Sequence, residues 1–256
     1  AVSQSYRIGV FKNTTPFEEW SQIGSFFGTN AKNNMALSND GNTIAIWTEG
    51  DQIRGNVAVY DLHQNDVWVQ RGRALTGDAA GDAFGYGLAL SRDGTVVALG
   101  APQSALPETP GYVRVFRWSS EDSTWEQVGN DIIGNNPGAQ FGNRIVISDN
   151  GRQIAITEPY ATIPNVKVFS MDSEMWTQVG QTFQVPEPYG LELAVALAGD
   201  GTILALGAWF WNGPLATDSG LVQVFTQVLD DVDTAEWSQV GDNFYGAQAA
   251  DYWGVS

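Results

Sequence analysis

Residues 84–102 read F-G-Y-G-L-A-L-S-R-D-G-T-V-V-A-L-G-A-P, residues 111–118 read G-Y-V-R-V-F-R-W, and residues 125–129 close the block with W-E-Q-V-G. The block holds four short apolar runs separated by turn residues, too brief for helices of typical length. Between the first two runs sits Asp93-Gly94. An Asp-Gly pair flanked by β-formers predicts a tight two-residue hairpin, because both central positions accept positive φ. The unit therefore reads as a four-stranded antiparallel meander, strands a to d.

The block recurs along the chain. Its first turn returns as Asp40-Gly41, Asn150-Gly151 and Asp200-Gly201. Three residues past each glycine stands a large–Ala–large triplet: Ile44-Ala45-Ile46, Val97-Ala98-Leu99, Ile154-Ala155-Ile156 and Leu204-Ala205-Leu206. Strand c appears five times, ending in Phe11, Tyr60, Phe116, Phe169 and Phe225. Strand d appears five times as W-x-Q-x-G, at Trp20, Trp68, Trp125, Trp176 and Trp237, with spacings of 48, 57, 51 and 61 residues. A period near 50 built from strands alone predicts an all-β fold, a β-propeller with one sheet per repeat. Successive strand residues face opposite ways, so each triplet sets two large side chains on one face and an alanine on the other. Both faces are apolar because each blade is sandwiched between two others, with the repeated Trp as the anchor. The repeated Gln is expected to satisfy a neighbouring backbone group.

Residues 1–256 read as a single propeller domain of about five blades. Residues 1–24 carry only strands c and d, at 6–11 and 20–24. Full units follow at 25–72, 73–129, 130–180 and 181–241, and 242–256 opens a closing blade whose strand a begins at Trp253-Gly254-Val255-Ser256. Strand b of that blade is missing. Either the chain is an excerpt of a longer one or a neighbouring molecule supplies the strand, and the edge left unpaired is an association site.

Gly-Asp-Ala-Phe-Gly (81–85), Leu-Ala-Leu-Ser (88–91), Asp93-Gly94, Gly100-Ala101-Pro102 and Gly111-x-Val-x-Val-Phe together resemble the FG-GAP repeats of integrin α-subunit propellers. They resemble still more closely the tandem W-x-Q-x-G propeller repeats of large secreted proteins in microalgae. Phe-Gly is clean at Phe84-Gly85 and Phe141-Gly142, and gives way to Ala31-Lys32 and Leu191-Glu192, with Phe27-Gly28 and Tyr189-Gly190 as shifted equivalents. Integrin-type repeats hold calcium in a longer a–b loop. Calcium wants about 6–8 oxygen ligands, which a tight turn does not supply, so no metal is assigned to Asp40, Asp93 or Asp200.

The chain carries 29 acidic and 12 basic residues, a net charge of −17, which argues against nucleic acid and anionic membranes as partners. No run approaches the ~18 apolar residues of a membrane span, and no basic-then-apolar leader is seen. With no cysteine there is no disulfide framework and no thiol chemistry. These features suit an extracellular or cell-surface protein. One glycosylation sequon, Asn13-Thr14-Thr15, falls on the first c–d turn. The single histidine, His63, lies in a polar turn beside Asp61 and Gln64, which leaves a Ser-His-Asp triad or a His-rich metal site without its parts. No phosphate loop leads into a helix, and no cofactor is expected. The acids at the ends of inner strands, Glu49, Glu158 and Glu192, are the residues a glycoside hydrolase would draw on.

Binding on a rigid scaffold is usually placed in loops. The b–c loops at 48–55, 102–111, 159–165 and 207–220 are the long, variable ones. The last carries three consecutive aromatics, Trp209, Phe210 and Trp211, and Tyr160, Phe244 and Tyr245 are assigned to loops of the same face. Such rings anchor protein interfaces or stack on sugars. The expectation is a non-enzymatic extracellular scaffold or adhesion module, binding other proteins or copies of itself. The alternative is a glycan-binding propeller or a glycosidase.

Overall fold

A computed structural model describes residues 6–13, 19–29, 34–48, 53–106, 108–185, 193–212, 217–229, 235–248 and 251. The described chain is all-β, as the repeat predicts. Blade 1 has two strands, β1 (Tyr6–Lys12) and β2 (Ser21–Thr29). Blade 2 comprises β3 (Met35–Leu37), β4 (Thr43–Thr48), β5 (Asn56–His63), β6 (Val67–Gln70) and β7 (Leu75–Thr76). Blade 3 comprises β8 (Gly87–Leu90), β9 (Val96–Ala101), β10 (Tyr112–Ser119), β11 (Thr124–Gln127) and β12 (Ile132–Ile133). In blade 4 the strands are β13 (Ile145–Ile147), β14 (Gln153–Glu158), β15 (Asn165–Asp172), β16 (Met175–Gln178) and β17 (Phe183–Gln184). Blade 5 closes the series with β18 (Leu193–Leu197), β19 (Ile203–Ala208), β20 (Leu221–Leu229), β21 (Ala235–Gln239) and β22 (Phe244–Tyr245).

Each full blade is an antiparallel a-b-c-d meander, with a fifth, two-residue strand pairing the start of strand c beyond strand d. Strand d is thus one edge strand broken in the middle, and the W-x-Q-x-G motif makes the break. Its glycine has φ between +66° and +76° in all five copies, a conformation glycine adopts without steric cost. The motif's glutamine donates from Nε2 to that glycine's carbonyl, at 2.8 Å from Gln22, 3.0 Å from Gln70, 3.3 Å from Gln127, 3.1 Å from Gln178 and 3.2 Å from Gln239. Sheet membership therefore runs past each W-x-Q-x-G. The second half of β2 continues to Thr29, so Phe27-Gly28 belongs to blade 1 and is no shifted Phe-Gly of blade 2. Residues 31–32, 189–192 and 252–256 lie outside the described chain.

The a–b turns differ from the two-residue hairpin expected. Five residues separate β3 from β4 and β8 from β9, and only the glycine has positive φ, +70° to +80° across the four copies. The preceding Asp or Asn keeps ordinary backbone angles and uses its side chain. Asp93 Oδ1 accepts from the Ser91 hydroxyl at 2.8 Å and from the Thr95 N–H at 2.9 Å. Asp40 does the same with Ser38 and Asn42, and Asn150 with Ser148 and Arg152. This is an Asx-type turn, in which a short polar side chain replaces a backbone acceptor. The turns also link the blades: Asn39 N–H donates to Arg92 O, Arg92 N–H to Asp149 O, and Asp149 N–H to Gly199 O.

Between blades the packing repeats. In blades 2 to 4 the indole N–H of the strand-d Trp reaches back to the previous blade's strand d, Trp68 to Ile23 O (3.2 Å), Trp125 to Arg71 O (3.1 Å) and Trp176 to Val128 O (2.9 Å), whereas Trp237 packs in the same place with its buried indole N–H unpaired among the described residues. Each ring lies on the motif glycine of the previous blade. An added Cβ would sit 2.6 Å from the Trp68 ring at Gly24, 2.9 Å from the Trp176 ring at Gly129 and 2.7 Å from the Trp237 ring at Gly180. The Phe-Gly element works at the other end of the blade. Phe84 and Phe141 are fully buried, and each is clasped by two glycines of the preceding blade, Gly55 and Gly77 around Phe84 and Gly111 and Gly134 around Phe141. Gly100 of the Gly-Ala-Pro run meets the next Phe-Gly, with only 2.1 Å between its would-be Cβ and the Gly142 carbonyl. The Phe-Gly and Gly-Ala-Pro elements are inter-blade packing written into sequence.

Two predictions follow from this geometry. Trp176, nearly buried, is expected to cost about 3–5 kcal/mol on truncation to Ala, whereas Trp20, two-thirds exposed, should cost no more than about 0.5 kcal/mol, as read from urea melts. The carboxyls of Asp40, Asp93 and Asp200 lie below their ordinary 3.8. In Asp40 the Ser38 hydroxyl leads, in Asp200 the Thr202 N–H. In Asp93, burial pushes up but is outweighed by the Thr95 N–H and the Ser91 and Thr95 hydroxyls. A depressed carboxyl stabilises the fold fully above its unfolded value and loses that contribution as pH falls through the folded value. The triple change Asp40→Asn, Asp93→Asn, Asp200→Asn, which copies the natural Asn150 turn, should flatten the loss of stability below about pH 4.

Candidate functional site

The loops that leave the ends of strands β14 and β19 carry four of the six aromatic candidates. Directly after β19, Trp209-Phe210-Trp211 forms a turn in which Trp211 N–H donates to Ala208 O at 3.3 Å and Gly220 N–H to Trp211 O at 3.0 Å. Asn212 Oδ1 accepts from Asp218 N–H at 2.9 Å and ties the two arms of the loop. Trp211 stacks on Tyr245 with ring centroids 5.1 Å apart and planes 22° off parallel. Both rings pack on the core between blades 4 and 5. Tyr245 is fixed further: Asn243 Nδ2 donates to its hydroxyl at 2.7 Å, and Asn243 Oδ1 takes bonds from Gln223 and Gln239. This pair buttresses the loop. What it presents is Phe210, exposed and tilted against Trp209 at 4.6 Å. Tyr160, half-exposed, stands at the same position past β14, its N–H donating to Ala139 O.

Phe244 and Tyr245 are not in a loop, as expected from sequence, but in β22, because the broken strand d resumes there. Tyr245 turns toward Trp211, and Phe244, opposite Val222, is half-exposed on the flank of blade 5. The six candidates thus divide into a buttress (Trp211, Tyr245), an exposed loop patch (Phe210 on a half-buried Trp209, with Tyr160 on the adjacent blade) and a flank residue (Phe244).

A second feature went unread in the sequence. Around the axis the first strands of blades 2 to 5 enclose a polar-mouthed cavity of about 260 Å³. Its collar comes from the two positions between Phe-Gly and the first triplet: Tyr86 in blade 3, Asn143 and Arg144 in blade 4, and Asn34 in blade 2. Asn34 Nδ2 donates to the Tyr86 carbonyl, and Asn143 Nδ2 to Gln140 Oε1 at 3.2 Å. The signal in the sequence is variability in register: those two positions read Asn33-Asn34, Tyr86-Gly87, Asn143-Arg144 and Leu193-Ala194, while the apolar triplet that follows them holds.

Of the three acids weighed for hydrolysis, Glu49 and Glu192 lie outside the described residues. Glu158 is fully buried. Lys167 Nζ lies 3.1 Å from Oε2, Asn165 Nδ2 also donates to Oε2 at 3.1 Å, and Asn136 Nδ2 donates to Oε1 at 3.2 Å. The ammonium also sits 5.5 Å from the Phe141 ring centroid. A buried charge needs such pairing to persist, and this carboxylate has all its company from within the blade.

In blade 3 a larger knot joins Arg114 to Asp78 (2.7 Å) and Asp131 (2.9 Å), with Tyr112 OH on Asp82 at 3.0 Å. Bonds from Arg114 hold both partner carboxyls below their usual range, and burial, then Asp82, pushes the Tyr112 phenol up. Asp61, placed beside His63 by sequence, is bonded to Arg71 Nε at 2.6 Å, while His63 is exposed. Among the described residues no group of three His, Cys, Asp or Glu is arranged to hold a metal ion, and no helix is long and apolar enough to cross a membrane. Asn13 is exposed, and Thr14 and Thr15 lie outside the described residues.

No protein-family model and no curated protein matches the chain by sequence. Solved structures do match in fold. KlAtg21, in its complex with the coiled-coil of AgAtg16, shares 12% identity over 88% of this chain and 62% of its own, with a TM-score of 0.60. A functionally unknown protein from Desulfotomaculum acetoxidans DSM 771 shares 14% over 93% and 63%, with a TM-score of 0.58. A candidate 6-phosphogluconolactonase from Bacteroides fragilis NCTC 9343 shares 14% over 94% and 60%, with a TM-score of 0.54. The chain spans about three-fifths of the length of each. Likeness at this identity establishes the class: the protein has a β-propeller fold.

If Trp211 is buttress and Phe210 is display, their truncations separate in a stability measurement. Trp211→Ala should lower the free energy of unfolding by about 2 kcal/mol, less than a fully buried Trp, and Phe210→Ala should change it by no more than about 0.5 kcal/mol.

Proposed function

We propose that this propeller is a non-enzymatic scaffold of the cell exterior, an adhesion or structural module of FG-GAP-like repeats that holds protein partners on its b–c loop face. The observation that carries this reading is the exposed Phe210, tilted on a half-buried Trp209, with exposed Tyr160 on the adjacent blade, set on a buttress of Trp211 and Tyr245. Rigid aromatic rings on pre-ordered loops bind with little loss of side-chain entropy, which is why aromatics dominate interface hot spots. The net charge of −17 supports a setting where high solubility is useful. Against hydrolysis stands the geometry of Glu158, whose carboxylate is enclosed and saturated.

A Phe210→Ala/Tyr160→Ala double variant, titrated against secreted proteins and against a glycan array, should lose at least about tenfold in affinity for protein partners with unchanged melting. Binding untouched by the double variant removes the loop face from the proposal. Binding confined to glycans transfers the patch to a lectin role. Turnover of aryl glycosides that disappears in Glu158→Gln overturns the non-enzymatic reading.

A further inference from the structure

The axial cavity belongs neither to the loop patch nor to the seals between blades, and its walls have two chemistries. The first apolar residue of every strand a lines it: Met35, Leu88, Ile145 and Val195, one from each of the full blades 2 to 5. Just ahead of these residues along the chain stands the polar collar of Asn34, Tyr86, Asn143 and Arg144.

The collar is ordered in advance of any ligand. Asn34 Nδ2 is committed to the Tyr86 carbonyl and Asn143 Nδ2 to Gln140 Oε1, so both amide oxygens remain as acceptors with no bond among the described residues. The Tyr86 ring stands edge-on to buried Trp47, with centroids 5.9 Å apart. Arg144 is pinned through its backbone: its N–H donates to Thr157 Oγ1 at 3.0 Å, and its carbonyl accepts from Thr157 N–H at 3.0 Å. The wall between blades 3 and 4 is close-packed, since an added Cβ at Gly87 would lie 2.2 Å from the Gly142 carbonyl oxygen. Groups held this way lose little freedom when a ligand arrives.

Size and charge select the ligand. A volume of about 260 Å³ falls below the ~300 Å³ at which pockets for drug-sized molecules begin, so the occupant is a single small ring. No Asp or Glu is among the described lining residues, which leaves a calcium or magnesium ion without carboxylates. The net charge of −17 opposes a free anion, and the guanidinium of Arg144 serves equally as a donor to hydroxyl oxygens. What fits is an uncharged molecule with hydroxyls for the collar and C–H faces for the apolar residues beside it. A pyranose carries both on one skeleton. We propose that the axial cavity binds one neutral sugar ring, either a free monosaccharide or the terminal residue of a glycan. The site goes beyond the scaffold reading and uses none of the loop patch, so the Phe210→Ala/Tyr160→Ala variant leaves it intact and the two readings fail separately.

The test is calorimetry and saturation-transfer NMR on the whole chain with glucose, galactose, mannose and N-acetylglucosamine, their methyl glycosides, and glucuronate. At least one neutral sugar should bind with a dissociation constant on the order of 1 mM, the strength usual for so few atoms. The Asn34→Ala/Asn143→Ala double variant removes both amide acceptors and should weaken binding at least about tenfold. Met35→Trp, at a position 51% exposed, should fill the cavity and abolish binding with melting unchanged, and it decides alone if the double variant melts early. A methyl glycoside that binds as well as its free sugar assigns the site to a glycan end, and binding of the free sugar alone assigns it to a monosaccharide. No binding of any neutral sugar at about 50 mM, well above the expected constant, overturns the proposal. Binding that survives Met35→Trp overturns it too, as does glucuronate binding more tightly than every neutral sugar.

Discussion

An indole laid on a glycine that no other residue can replace is the contact on which this propeller depends. The glycine serves twice. Its positive φ breaks strand d so that the edge strand resumes a few residues later, and its missing side chain leaves the flat surface on which the next blade's Trp rests. A Cβ at Gly129 or Gly180 would collide with a ring, and that ring is rigid, so neither partner has room to give. The glutamine of the motif holds the glycine's own carbonyl in place, and in blades 2 to 4 the indole N–H donates to a carbonyl of the neighbouring blade's edge strand.

The Phe-Gly element applies the same device at the opposite end of each blade. Phe84 and Phe141 enter clasps of paired glycines, and the backbone of the Phe-Gly segment bonds both to its own strand b and to the preceding blade. With both ends of a blade sealed by backbone-close contacts, variation is confined to places the seals do not touch. Those are the b–c loops, where Trp209 to Trp211 stand, and the collar positions Asn34, Tyr86, Asn143 and Arg144. Blade 4 shows what happens when the seal itself changes. Thr157-Glu158-Pro159 replaces Gly-Ala-Pro, and the carboxylate that enters the interior brings Lys167, Asn165 and Asn136 with it.

Much of this was legible because it repeats. Five copies of W-x-Q-x-G predicted five edge strands, a Gln bonded to local backbone and a Trp between blades, and the geometry agrees for the glutamine in each copy. The turn was read less well. Asp-Gly suggested a two-residue hairpin, but Ser38, Ser91 and Ser148 bond the Asp or Asn side chain and widen the loop, a contact invisible to dipeptide statistics. The aromatic candidates show the same division. Trp209-Phe210-Trp211 stood out as three rings in a loop, yet only their packing separates the ring that props from the ring that is offered.

By itself the sequence determined the period, the all-β meander and the anchor residues, because local turn chemistry and alternation of large and small side chains act within a few residues of one another. Tertiary structure alone decided which of five equivalent tryptophans is covered and which is bare, since burial belongs to the neighbour a residue meets and not to the residue. Trp20 and Trp176 sit in the same motif, and Trp176 is the one that meets Val128 and Gly129 of a neighbouring blade.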